Sequence, residues 1–407
     1  MAGVPVNQPH LLLSLTLLIV PALAGCDAIV ESDGEPVAPQ SSEYVRATPF
    51  GSGVDAASPS EGGPDGGSAD SGEIPPSCQT TGPGLTNCGS ESQSCCTNLL
   101  VEGGTYYRTY TYDGGSVTGE ADPATVSSFR LDKYDVTVGR FRQFVNAVIP
   151  NSDGGAPLGW TPPEHSGMHK YLNGGHGLVN SASELVDGGP VTYEEGWSTT
   201  HNNEIAPTNA NLNCSLAAPS SGSTYATWTD TPGSQENLPI NCVNWYEAYA
   251  FCIWDKAFLP SEAEWAYAAA GGSEEREYAW GTKKPGTACP GTGCEYAIYD
   301  CAYPDGSGPC TGVTNIAPVG TATKGKGLWG QLDLAGEMYQ INLDWSQAYV
   351  DPCTDCAYLT EAAGGGYRVI RGSSFDVDVA SLQSEIRGGW TQTHRVVSIG
   401  FRCARDP

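Results

Sequence analysis

Fourteen cysteines lie beyond residue 26 of this 407-residue chain: Cys78, Cys88, Cys95, Cys96, Cys214, Cys242, Cys252, Cys289, Cys294, Cys301, Cys310, Cys353, Cys356 and Cys403. In an exported protein an even set reads most simply as a disulfide framework, which ties distant loops together and argues against a thiol nucleophile. Cys214 with Cys242 is a natural loop closure, while the connectivity inside 78–96 and 289–310 stays open. Cys353-Thr-Asp-Cys356 has metal-like spacing, but it lacks the second ligand pair or neighbouring His that zinc requires.

Export is expected from the first residues. Leu11 to Val20 is an uncharged apolar run too short to span a bilayer comfortably, and it leads into Leu23-Ala24-Gly25-Cys26. That tetrapeptide is similar to a bacterial lipobox. Residues 1–25 then form a lipoprotein signal peptide, although Met1 to His10 lacks the usual basic residues. Acylated Cys26 would hold the chain at the periplasmic or outer surface of a bacterial membrane, in the cell envelope. Residues 26–96 are rich in Gly, Ser, Pro and acids, and read as an acidic disordered tether with a cysteine-rich end, reaching on the order of 40–50 Å. With 19 basic and 46 acidic residues, the formal charge of -27 argues against nucleic-acid partners. No second hydrophobic segment long enough to cross a membrane follows, and residues 97–407 suit one large domain.

Within that domain, Gly103 to Arg108 and the stretch from Ser128 alternate as strands. Val138, Phe141, Phe144, Val145 and Val148 then recur at helical spacing behind a Thr137 N-cap, which predicts a helix over about 138–148. Asn244 with Glu247, and Ser261 with Glu264, are capping-box pairs for helices over 245–254 and 262–270, and Gly271-Gly272 supplies a stop. Cap geometry accounts for Glu264 without catalysis. Residues 151–236 read as a variable loop insertion holding His165, His169, His176 and His201. Gly167 and Pro162-Pro163 oppose a metal-binding helix there, so these histidines are expected at the surface.

Several stretches resemble, in order, the formylglycine-generating enzyme (sulfatase-modifying factor) family: 129–145, Pro239 to Trp254, Leu259 to Gly272, Gly327 to Trp345, Arg368 to Phe375 and Ile399 to Arg405. The resemblance implies an α+β domain related to the C-type lectin fold, low in regular secondary structure and disulfide-rich. It implies a Cys252–Cys403 pairing. Where the family binds a structural calcium through Asn and Glu, this chain has Glu337 and Gln340 around Met338, leaving a calcium site of altered geometry or its loss; retention is the expectation. Enzymes of the family hold Cu(I) between two thiolates, but the corresponding positions, approximately Val377 and Leu382, carry no sulfur, so copper is not expected.

The expected function is therefore non-catalytic recognition of a peptide, glycan or envelope partner. The alternatives are a purely structural envelope module and an oxidoreductase related to the formylglycine-generating or sulfoxide-synthase enzymes with a non-standard site. The sulfoxide synthases draw their iron histidines from an additional helical domain, which residues 1–96 do not resemble. For the anchor, mass spectrometry of the membrane-extracted protein should find an acylated N-terminus at Cys26; an unmodified Cys26, or a start elsewhere, refutes it.

Overall fold

The computed structural model describes residues 74–407 apart from 114, 150–158, 185–189, 215–221, 287–293, 307 and 364. Cys26, the lipobox and the tether up to residue 73 lie outside the described residues. Strands β1 (Asn98–Val101), β2 (Gly104–Asp113), β3 (Ser116–Val126) and β4 (Phe129–Asp132) precede helix α1 (Val138–Val148). Helices α2 (Trp245–Trp254) and α3 (Glu262–Ala270) follow, then β5 (Tyr339–Trp345), β6 (Arg368–Arg371) and β7 (Arg387–Trp390). The rest is mostly turns and single-turn helices, in an α+β arrangement of small sheets around the helices.

Local chemistry explains each element. In β2, Tyr106, Arg108 and Tyr110 point inward while Thr105, Tyr107 and Thr109 face solvent, the two-residue period of a one-sided strand. Thr137 caps α1 by accepting the Arg140 N–H, and α1 buries Val138, Phe141, Phe144 and Val148. Phe141 stacks on Phe251 of α2 at 5.7 Å between ring centroids, and Phe401 meets Phe251 edge-on at 5.4 Å. Both capping boxes form, and Gly271 closes α3 at φ 67°, a left-handed conformation that glycine adopts without the cost a side chain adds.

Strand β5 is buried on both faces. Tyr339, Ile341 and Leu343 join the core that includes α1 and α2. Gln340 and Asp344, on the other side, bond to Trp265 and to the Glu262 N–H of α3. The sheet order is β7-β6-β5, with Ile399–Gly400 added parallel to β5. Four residues later Ala404–Arg405 pairs with β4. The closing segment thus joins two sheets, and the Cys252–Cys403 disulfide fixes its midpoint to α2. Cys214–Cys242, Cys301–Cys310 and Cys353–Cys356 are also bonded.

The cysteine-rich end of the expected tether needs correction. Residues 76–96 fold onto the domain, so its boundary lies upstream of 97. Cys78–Cys96 and Cys88–Cys95 close two short loops, which offset the ordering entropy that this apolar-poor stretch could not meet by burial alone. Ser77 is fully buried and donates its backbone N–H to Asp255 at 2.9 Å.

Beneath Ser77 lies a dry ion cluster. Arg140 donates from Nη1 to Asp132 at 2.9 Å, from Nη2 to Asp255 at 2.7 Å and from Nε to the Ser77 hydroxyl at 3.1 Å. Arg405 bonds the same two carboxylates. Asp132, Asp255 and Arg140 are all inaccessible to solvent. Arg140→Met would leave two buried carboxylates short of a counter-charge and should destabilise the domain by about 3–5 kcal/mol, read from urea unfolding at neutral pH. A loss below about 1 kcal/mol would contradict the cluster's structural role.

Candidate functional site

Strand β6 delivers the segment that resemblance assigns to copper. After Arg371, Gly372 turns at φ 93°, where an added Cβ would meet the Leu334 carbonyl at 2.8 Å. Phe375 is then held by its N–H to the Glu337 carbonyl and by the Cys301 N–H donating to its own carbonyl. Val377 packs against the core containing α2, whereas Leu382 lies in a separate cluster with Tyr278, Ala297, Tyr299 and Ala335. Between them Asp378 caps the 3-10 turn Val379–Leu382. Two carbon side chains in different clusters offer no soft ligand pair, so the positions do not fit copper. Every cysteine among the described residues is in a disulfide.

The positions expected for calcium, Glu337, Met338 and Gln340, are buried and hydrogen-bonded within the domain. Gln340 Oε1 accepts Trp265 Nε1 and Arg402 Nε, each at 2.7 Å. Glu337 accepts the Ala317 N–H at 2.8 Å. Burial, reinforced by Asp333 and Asp135, pushes its carboxyl well above the usual range. Met338 is buried in a cluster with Ile316 and Phe375. Gln340 lies against Arg402, which also pairs with Asp135 at 2.9 Å. No group of three or more His, Cys, Asp or Glu suited to a metal occurs among the described residues.

A second charged centre lies between α3 and β7. Glu262 takes Arg387 in a bidentate pair at 2.6 and 2.7 Å, with Arg371 at 3.1 Å and the Tyr349 hydroxyl donating at 3.1 Å. Burial opposes its charge, but Arg387 and Arg371 outweigh burial and hold the carboxyl below its ordinary value. Neighbouring Asp344 is pushed up to about 7 by burial and by the Glu262 charge. The enclosed space is about 10 Å³, room for one water and no substrate. The centre locks helix to sheet.

A family described as "Sulfatase-modifying factor enzyme 1-like domain" matches residues 86–407. This chain belongs to that family. It is 33% identical over 178 residues to the formylglycine-generating enzyme of Streptomyces coelicolor, covering 42% of this chain and 53% of that one. It is 29% identical over 174 residues to the mouse protein named inactive C-alpha-formylglycine-generating enzyme 2, covering 41% and 49%. The chain thus spans about half the length of these relatives. The solved structure of PvdO from Pseudomonas aeruginosa aligns over 81% of this chain and 100% of that one, at 16% identity and a TM-score of 0.45.

On this sulfatase-modifying factor domain, the surface offers one open pocket of about 340 Å³, within the range of ligand clefts. Pro76, Trp160, Pro163, Ile253 and Trp254 line it, with Ser166 and Lys256 as the polar members. Trp254 and Lys256 come from the end of α2, and Trp160, Pro163 and Ser166 from the 151–236 insertion. Sequence reasoning missed the pocket because its walls come from three separate segments. The only signal was Trp160, one of three tryptophans within a polar loop.

The insertion also corrects the reading of its histidines. His165 and His176 are exposed and His201 is half-buried, but His169 is fully buried. Its Nδ1 meets Glu194 at 3.0 Å and its Nε2 meets Glu264 at 3.1 Å, so the α3 cap residue also anchors the insertion. Tyr171 donates to Glu264 at 3.1 Å. Burial opposes a charged imidazole, yet the two carboxylates outweigh it and raise its pKa to about 10. The unfolded value is about 6.5, so this stabilisation is complete below that pH and is lost as pH rises through about 10. Between pH 8 and 10 the His169 clamp should lower unfolding free energy by up to about 1.4 kcal/mol per pH unit, superimposed on the opposing contribution of Arg368, whose pKa burial draws down to about 9. His169→Gln should flatten that slope in urea unfolding. An equal slope in both proteins contradicts the double clamp.

Proposed function

We propose that this protein is a lipid-anchored component of a bacterial cell envelope whose sulfatase-modifying factor domain recognises a peptide, glycan or envelope partner without forming formylglycine. The carrying observation is the pair Val377 and Leu382: both are carbon side chains, packed in separate clusters, at approximately the positions to which resemblance assigns the enzymes' copper-binding thiolates. The oxidation of every described cysteine supports the same reading, because no described thiol remains to replace them. The pocket at Trp160 and Trp254 supports recognition, since it combines apolar walls with a hydroxyl and an ammonium that can orient a ligand.

The decisive experiment incubates the purified protein with copper, a reductant and a sulfatase-type Cys-X-Pro-X-Arg peptide. Mass loss and aldehyde trapping report conversion, and elemental analysis reports bound metal. No conversion is the expected outcome. Turnover with stoichiometric copper or iron would overturn the proposal and restore an oxidative enzyme.

A further inference from the structure

Across the β7-β6-β5 sheet runs a row of three paired residues, Trp390, Arg368 and Trp345, directly opposite one another in register. The Arg368 guanidinium lies 3.8 Å from the centre of the Trp345 ring and 3.7 Å from that of Trp245 on α2. Its Nη1 donates to the Leu343 carbonyl at 2.7 Å. Its Nε is buried without an acceptor, and its Nη2 makes no hydrogen bond among the described residues. The Trp390 Nε1, on the neighbouring strand, is likewise buried without an acceptor.

Arg368 differs from the other deeply buried arginines. Arg140 meets Asp132 and Asp255, Arg371 meets Glu262, and Arg402 meets Asp135. Arg368 is only 8% exposed, and no carboxylate among the described residues lies within ion-pair distance. Nearby Asp344 already accepts the N–H groups of Glu262 and Tyr358, and Glu361 stands exposed. Burial draws the Arg368 pKa down to about 9, the mark of a charge short of an anion. Two indole faces offset part of that desolvation, but they leave the Nε–Nη2 edge without an acceptor. That edge is the fork arginine offers to a carboxylate.

We propose that Arg368, assisted by the Trp390 N–H, anchors a binding site for a carboxylate borne on a ring or other apolar group. The charge pairs with the free edge of the guanidinium, and the half-buried Trp390 packs against the rest of the ligand. An acidic sugar and a peptide C-terminus share this chemistry. The site is independent of the Val377–Leu382 positions, so its test stands whether or not the protein forms formylglycine.

Calorimetry on the purified full chain compares glucuronic acid with its methyl ester, and the dipeptide Ala-Phe with its C-terminal amide. At least one acid should bind about tenfold more tightly than its neutral partner, and the pair that discriminates identifies the source. Arg368→Gln should abolish the preference. Trp390→Phe, which keeps an aromatic ring but removes the N–H, should weaken acid binding several-fold, and it decides the matter if Arg368→Gln fails to fold by circular dichroism. Equal binding of acid and neutral partner, or an undiminished preference in the folded variants, overturns the proposal.

Discussion

The guanidinium of Arg140 is the junction on which the rest of the domain depends. Its donors reach the Ser77 hydroxyl, the Cys95 carbonyl, Asp132 at the end of β4 and Asp255 at the end of α2. Through the same carboxylates it is coupled to Arg405 in the closing strand. Segments from both ends of the described chain therefore converge on one dry ion cluster. Its five charged and polar members are tolerable in the interior because each charge is paired and each remaining donor finds an oxygen. The Cys252–Cys403 and Cys78–Cys96 disulfides bracket this cluster and hold the same segments covalently.

A fold with little regular secondary structure relies on such contacts. Glu262 with Arg371 and Arg387 fastens α3 to the sheet, Arg402 with Gln340 and Asp135 fastens the closing segment under β5, and His169 with Glu194 and Glu264 fastens the insertion to α3. In the segment after Arg371, by contrast, the side chains at the two expected copper positions are purely apolar. The paired charges of the interior serve architecture, and the two positions expected for copper carry carbon side chains.

Arg368 stands apart from this pattern. It is supported by aromatic faces rather than by a carboxylate, and it lies at the edge of the buried core beside a half-buried tryptophan. A lone buried cation in a chain of net charge -27 is a local imbalance that a ligand can correct. The Trp160–Trp254 pocket is the complementary case, an apolar recess with a single ammonium at its margin.

The sequence by itself determined the local elements and the family. The 3.6-residue recurrence of Val138, Phe141, Phe144 and Val148, the caps at Thr137, Asn244 and Ser261, and the stop at Gly271 are short-range chemistry, and each forms where its own residues dictate. That Val377 and Leu382 carry no thiol was equally legible, because it needs only residue identity. What only the tertiary structure decided were contacts between residues far apart in the chain. His169 looked like a loop histidine until Glu194 and Glu264 closed on it, residues 76–96 looked like tether until Asp255 and two disulfides captured them, and nothing local announced that Gln340 accepts from Arg402 and Trp265. A side chain's type states what bonds it can make. Whether burial and a distant partner make that bond the stable one depends on the packed chain as a whole.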